Sequence, residues 1–160
     1  MVGVQLLLVR HGNAGSKVRW KGADRERPLS TKGKRQSQWL ADTVVPMAPS
    51  RIVTSPYVRC LQTIEPLAAK LDLKPKTSPD LVPDAGDRAL ALVERLGRSR
   101  VAGDIVVCTH GEVLGEVLQA LSLRSGLKLQ PRPPGQKGCL WVIELKSGRL
   151  QDARYFPPPG

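Results

Sequence analysis

The sequence predicts one α/β domain of three layers, in which helices cover both faces of a mostly parallel central sheet and an antiparallel edge lies near the C-terminus. Short apolar segments alternate with helical segments of roughly ten to fifteen residues, which is the pattern of β-α-β units. The last two apolar segments are separated by the turn residues Ser147 and Gly148, which favours a hairpin at the sheet edge. We assign residues 1–156 to the domain and expect residues 157–160 to form a loose tail.

The first strand is predicted from the apolar run Leu6–Val9, which ends abruptly in Arg10, His11 and Gly12. A short apolar run of this kind is typical of a strand that is buried on both faces. The other segments with strand character are Arg51–Thr54, Lys76–Ser78, Ile105–Cys108, Cys139–Leu145 and Leu150–Tyr155.

Four helices are predicted from apolar periodicity and from start signals. Ser30 or Thr31 caps the first helix, which places Trp39, Leu40, Thr43 and Val44 on its inner side. Ser55-Pro56 opens the second helix, in which Pro66 is expected to cause a kink. The expected spans are Lys32–Val45, Pro56–Leu71, Asp84–Arg98 and Glu112–Leu121, and residues 124–138 are expected to form an exposed loop.

The composition favours an anionic partner and a cytoplasmic location. The net charge is +11, and eight basic residues but only two acidic ones lie between Lys17 and Arg35. No segment approaches the ~20 apolar residues of a membrane span. The three cysteines are widely spaced without metal-ligand spacing, so we expect reduced, mostly buried thiols and no metal or cofactor.

The two histidines of the chain follow predicted strands in the same way. His11 precedes Gly12, and His110 precedes Gly111. Parallel strands end at the same edge of a sheet, where open α/β folds bind their ligands. We therefore expect both imidazoles to face one cleft. Arg59, in the first turns of the second helix, is placed to grip a phosphoryl group together with Arg10.

The ordered signatures of this chain are Leu8-Val9-Arg10-His11-Gly12, Ser55-Pro56-x-x-Arg59-x-x-Gln62-Thr63 and Thr109-His110-Gly111. On these motifs the chain resembles the histidine phosphatase superfamily, whose fold is that of the phosphoglycerate mutases. The resemblance implies that His11 is a nucleophile that forms a phosphohistidine. It also implies that Arg10, Arg59, His110 and the adjoining Gly111 bind the phosphoryl oxygens. It further implies that no metal is required.

The proton donor for the leaving oxygen departs from the patterns of that superfamily. The candidates are Asp80, Asp84 and Asp87 in the stretch Ser78–Asp87 and Glu112 directly after Gly111. Asp84 has the alternative role of a helix cap, and Glu112 that of a carboxylate in a first helical turn. We favour Asp84, although a good leaving group would need little protonation.

Two branches of the superfamily are indicated. The short chain and the stretch Leu81–Asp87 resemble the compact SixA-type phosphohistidine phosphatases. The segment from Arg10 to Leu29, with Ala14-Gly15-Ser16, Trp20, Gly22, Asp24 and Arg27-Pro28, is closer to the phosphatase half of actinobacterial Nudix–phosphatase proteins, which act on nucleoside polyphosphates. That kinship implies that Lys17, Arg19 and Lys21 contact further phosphates. For Asp24 and Arg27 we favour an internal ion pair that orders the loop.

Three functions remain open from the sequence. The first is a metal-independent phosphohydrolase acting on nucleoside polyphosphates or other phosphoanhydrides. The second is a phosphatase acting on phosphohistidine in a protein partner. The third is a non-catalytic module that binds RNA or another polyanion. It is disfavoured because the chain has only six aromatic residues with which to stack bases.

Overall fold

A computed structural model describes residues 4–100 and 103–160, so the first three residues of the predicted domain lie outside the described residues. Within these ranges six strands form one sheet, and four helices pack on it. The strands are β1 (Val4–Arg10), β2 (Arg51–Thr54), β3 (Lys76–Thr77), β4 (Ile105–Thr109), β5 (Leu140–Lys146) and β6 (Arg149–Phe156). The helices are α1 (Thr31–Val44), α2 (Val58–Leu71), α3 (Gly86–Gly97) and α4 (Gly111–Ser125).

The sheet has the strand order β3-β2-β4-β1-β5-β6. The first four strands of that order are parallel, whereas β5 pairs antiparallel with both β1 and β6. This confirms the predicted three-layer α/β class with an antiparallel edge.

Alternate residues of the central strands separate the core into two layers. Leu6 and Leu8 of β1 contribute to one apolar cluster with α3 and α4, and Leu7 and Val9 contribute to another with α1 and α2. Successive side chains of a strand point to opposite faces, so an apolar run of this length requires cover on both. None of the helices in the described ranges is long and apolar enough to cross a membrane.

Several predicted boundaries differ from the structure. The second helix begins at Val58 rather than at Ser55-Pro56, and it continues through Pro66. Ser55 is buried in the site described below. The fourth helix extends to Ser125, although the apolar pattern that predicted it ends at Leu121. In the tail, Pro158 is buried although residues 157–160 lack regular structure.

The inner side of α1 also differs from the prediction. Ser30 caps the helix by accepting a hydrogen bond from the N–H of Gly33, as predicted. Trp39 and Thr43 are only half-buried, whereas the polar Gln36 and Ser37 are buried. Gln36 faces the loop after β1 and accepts a hydrogen bond from the N–H of Asn13 at 2.8 Å. Hydrophobicity alone could not have placed this residue inside.

Candidate active site

The register of β1 and β4 places both histidines at one edge of the sheet. Arg10 pairs with Thr109 in the parallel ladder, and the N–H of His11 donates to the Thr109 carbonyl at 3.1 Å. The ring centroids of His11 and His110 lie 5.3 Å apart in an edge-to-face arrangement. The convergence expected from the sequence is therefore observed.

The two imidazoles border a cavity of about 170 Å³, which we call the histidine cavity. Its lining includes five basic and two acidic side chains. The lining residues are Arg10, His11, Ala14, Lys17, Asp24, Arg27, Arg59, Pro83, His110, Gly111, Glu112 and Lys137. This excess of positive charge suits a small anion such as a phosphoryl group.

His11 is held as a neutral imidazole with its Nε2 lone pair directed at the guanidinium of Arg59. Its Nδ1 donates to the carbonyl of Gly12 at 2.8 Å, and Arg59 Nε donates to Nε2 at 3.4 Å. Burial lowers the pKa of His11 from the ordinary 6.5 to about 4, and the charges of Arg59 and Arg10 act in the same direction as burial, whereas the Gly12 carbonyl opposes them. The ring is thus unprotonated at neutral pH, as a nucleophilic nitrogen must be.

His110 presents the opposite ring nitrogen to the protein. Its Nε2 lies 2.9 Å from the hydroxyl of Ser55, whose oxygen accepts the N–H of Tyr57 at 3.3 Å. Cys60 Sγ lies 3.7 Å from the same ring nitrogen. When the Ser55 hydroxyl donates its proton to Nε2, the ring carries its own proton on Nδ1. Nδ1 is buried and has no partner among the described residues. Burial first, and then the neighbouring His11 and Arg59, lower the pKa of His110 to about 3.

Arg10 reaches the cavity over the first residue of α4. A side chain at Gly111 would bring Cβ within 2.7 Å of Arg10 Nε and 2.8 Å of its Cζ, so this close approach requires glycine. Arg10 Nη1 donates to the Gly135 carbonyl, and the N–H of Gly138 donates to the carbonyls of Arg10 and His11. Arg10 Nε is buried without a partner in the described part of the chain, which makes it a further donor suited to an anion.

Arg59 is held by Asp24, a contact that the sequence did not suggest. Its Nη2 pairs with the Asp24 carboxylate at 3.1 Å, and its Nη1 donates to the Asp24 carbonyl at 2.8 Å. The other carboxylate oxygen pairs with Arg27 at 3.1 Å, so the predicted ion pair is present but extends to a second arginine. Burial raises the pKa of Asp24, but the hydrogen bond from Arg27 and the charge of Arg59 outweigh it, and the pKa lies below the ordinary 3.8.

Gln62 and Thr63, the last two residues of the motif that begins at Ser55, hold the loops around the site in position. The Thr63 hydroxyl accepts the N–H of Gly12 at 2.9 Å and donates to the Arg59 carbonyl at 2.6 Å. The Gln62 side chain accepts the N–H of Leu29 at 2.8 Å. These contacts join α2 to the loop after β1, so the motif fixes the position of His11 relative to Arg59.

The structure separates Asp84 from Glu112 as candidate proton donors. Glu112 lines the histidine cavity. Asp84 is exposed, is not among the cavity residues, and does not cap α3, whose N-cap Ala85 makes no side-chain cap bond. Its φ of 70° places it in a turn before the helix. The sequence-based preference for Asp84 therefore lacks the required geometry, because the path of this turn depends on tertiary packing.

The predicted basic contacts are also divided. Lys17 lines the histidine cavity, Arg19 lines a neighbouring one, and Lys21 is exposed. Lys137, which sequence reasoning did not single out, joins Lys17 at the cavity from the loop before β5. Only the clustering of basic residues in that loop hinted at it. No three His, Cys, Asp or Glu side chains within the described ranges come together as a metal site would require.

A larger groove of about 660 Å³ lies elsewhere, between α1 and α2. Its lining includes Lys34, Arg35 and Glu65 but neither histidine. The histidine cavity is therefore the candidate site because of its two imidazoles and not because of its size.

Comparison with known proteins agrees with this geometry. The family model described as "Histidine phosphatase superfamily (branch 1)" matches residues 6–82. The chain is 38% identical over 160 residues to an 8-oxo-(d)GTP phosphatase of Mycolicibacterium smegmatis, covering 96% of this chain and 48% of that protein. The chain thus spans about half the length of this curated relative.

Two solved structures have the same fold. The protein histidine phosphatase SixA, solved with tungstate, has a TM-score of 0.79 at 23% identity, and the match covers 97% of each chain. A putative phosphohistidine phosphatase SixA from Agrobacterium tumefaciens has a TM-score of 0.76 at 17% identity, covering 96% of this chain and 99% of that one.

Proposed function

We propose that this chain is a member of the histidine phosphatase superfamily (branch 1), whose model matches residues 6–82, and that it is a metal-independent phosphohydrolase that works through a phosphohistidine on His11. One observation carries this proposal. A neutral His11, with its Nδ1 bonded to Gly12, shares a small cationic cavity with Arg10, Arg59 and His110.

In the first step the Nε2 lone pair attacks phosphorus, and the bond from phosphorus to the leaving oxygen breaks. Arg10, Arg59 and the Nδ1–H of His110 donate to the three remaining oxygens and stabilise the charge that they carry in the transition state. In the second step water attacks the phosphohistidine, which releases inorganic phosphate and restores the imidazole. Asp24 holds Arg59 in position through its carboxylate and its carbonyl.

Glu112 is the proposed proton donor, and its contribution should depend on the leaving group. Glu112→Gln is expected to lower kcat for an alkyl phosphate monoester by about 10²-fold, the lower end of general acid catalysis, and to have little effect on a phosphoanhydride. The alternative donor is tested in parallel with Asp84→Asn, which we expect to leave both rates unchanged. Steady-state rates on the two substrate classes decide between them. Unchanged monoester hydrolysis in Glu112→Gln would remove Glu112 from the mechanism.

Nucleoside polyphosphates or other phosphoanhydrides are the proposed substrates. The curated relative is named for a nucleoside triphosphate, and Lys17 and Lys137 border the cavity where additional phosphates would lie. A phosphoanhydride also has a good leaving group. This suits a site in which the second carboxylate, that of Asp24, is engaged by two arginines.

Phosphohistidine in a protein partner is the second candidate, because its leaving group likewise demands little from an acid and the histidine cavity is small, at about 170 Å³. The discriminating experiment measures phosphate release in EDTA from an aryl phosphate, nucleoside diphosphates and a phosphohistidine protein. We expect turnover of the aryl phosphate and the nucleotides to persist in EDTA. Loss of all activity in EDTA would contradict the proposed mechanism. Turnover of the phosphoprotein alone would select the second candidate, and salt-sensitive RNA binding without any turnover would select a binding module.

A further inference from the structure

A second cavity lies beside the histidine cavity and is not used by the chemistry described above. Its volume is about 250 Å³, and its lining includes Trp20, Arg19, Pro28 and Leu29. Ala14 and Arg27 line both cavities, so the two share a wall. We call the second one the tryptophan cavity.

Trp20 is held in place yet remains open to a ligand. Its indole N–H donates to the Ala23 carbonyl at 2.8 Å, and its backbone N–H donates to the Ser16 carbonyl at 3.2 Å. A Cβ at position 22 would come within 3.1 Å of the indole nitrogen, so Gly22 lets the ring lie close to the backbone. The residue is nevertheless 38% exposed, so part of its surface is free to contact a ligand.

Neither cavity is large enough to enclose a whole ligand of the proposed class. Pockets that enclose drug-sized molecules measure roughly 300–1,000 Å³. The histidine cavity and the tryptophan cavity, at about 170 and 250 Å³, are each below that range. Two adjoining small cavities, one cationic and one bordered by an aromatic ring and apolar side chains, match a ligand with a phosphate end and a flat apolar end.

We propose that the tryptophan cavity binds the nucleobase of a nucleoside diphosphate or triphosphate, with the base stacked on Trp20 and the terminal phosphoryl group beside His11. This inference rests on the proposed function and assigns it a specificity site. Lys17 lines the histidine cavity and Arg19, two residues later in the same loop, lines the tryptophan cavity, so the phosphate chain of such a ligand would meet a cation at each cavity.

The test compares a substrate that has a base with one that lacks it. Guanosine diphosphate and inorganic pyrophosphate share the anhydride, and only the nucleotide reaches Trp20. Base–aromatic stacking measured by alanine substitution corresponds to roughly a 5- to 150-fold effect. We therefore expect Trp20→Ala to lower the ratio of kcat/KM for guanosine diphosphate to that for pyrophosphate by a factor in this range. Adenosine diphosphate should behave in the same way, since stacking tolerates any base.

Two variants serve as controls. Val18→Ala lies on the same loop, is 95% exposed and lines neither cavity, so the ratio should not change. Trp20→Phe keeps an aromatic ring and should retain most of the preference for the nucleotide. Thermal unfolding of each variant identifies any loss of fold.

The outcomes separate this inference from the proposed function. An unchanged ratio in Trp20→Ala, or equal losses on both substrates, would overturn the nucleobase site while leaving the phosphatase in place. Calorimetry on the His11→Ala protein measures binding of the same two ligands without turnover. If wild type hydrolyses neither compound but Trp20→Ala still weakens only nucleotide binding, the nucleobase site stands and the proposed function fails.

Discussion

Replacing His11 with alanine is expected to abolish phosphoryl transfer, with kcat falling by on the order of 10⁴-fold or more, as when a covalent nucleophile is removed. We expect no second nucleophile to take its place, because the other imidazole in the cavity has its Nε2 beside the Ser55 hydroxyl and, in the proposed mechanism, carries its proton on Nδ1. The measurement is a rapid quench under alkaline conditions with radiolabelled nucleotide. Label should appear on wild-type protein and be absent from His11→Ala.

His110→Ala is the matched control for that experiment. It removes an oxygen-binding donor but keeps the nucleophile, so label should still accumulate on His11 while turnover slows. Peptide mapping identifies the labelled residue. Label on another residue, or near-normal turnover in His11→Ala, would rule out the phosphohistidine mechanism.

In the wild type, kcat/KM should fall as the pH drops below about 4, because protonation of His11 removes the attacking lone pair.

Replacing Arg59 with methionine is expected to lower kcat/KM by about 10²- to 10³-fold on every substrate, the usual loss for one transition-state donor. Arg59 is 4% exposed and its Nε lies 3.4 Å from His11 Nε2, the atom proposed to attack phosphorus. Methionine keeps much of the side chain's bulk but supplies no donor. Steady-state kinetics on the aryl phosphate and on guanosine diphosphate measure the effect.

Arg25→Met is the matched control for Arg59. Arg25 is exposed, lies 5.9 Å from the centroid of the Tyr57 ring and does not line the histidine cavity, so its loss should leave kcat/KM unchanged. Arg59→Met also removes one partner of Asp24, and Arg27 remains to pair with that carboxylate. If Arg59→Met lowered only the melting temperature and not kcat/KM, Arg59 would have a structural role through Asp24 and no contact with substrate.

Local patterns were sufficient for the framework of the molecule. Three strand segments are each long enough to require burial: the apolar run Leu6–Val9, the β-branched strand Arg51–Thr54 and the run that begins at Ile105. The helical segments between them impose parallel pairing. Because parallel strands end at the same edge, the positions of His11 and His110 in the chain already implied that their rings meet.

The partners of the functional groups could not be read in the same way. Ser55 was expected to cap a helix, but its hydroxyl faces His110, 55 residues away in the chain. Asp24 reaches across 35 residues to Arg59, and Glu112 rather than Asp84 lines the cavity. These contacts depend on the paths of loops that carry no periodic signal.

The sequence by itself therefore determined the α/β class, the order along the chain of the motifs that follow the strands, and which two histidines meet at the sheet edge. Hydrophobic periodicity and strand direction are sufficient for this because they act over a few residues at a time. Only the tertiary structure decided which carboxylates line the histidine cavity, which hydroxyl lies beside His110 Nε2 and that Trp20 lines a neighbouring cavity. Such contacts are fixed by the packing of distant segments against one another, and no local pattern contains that information.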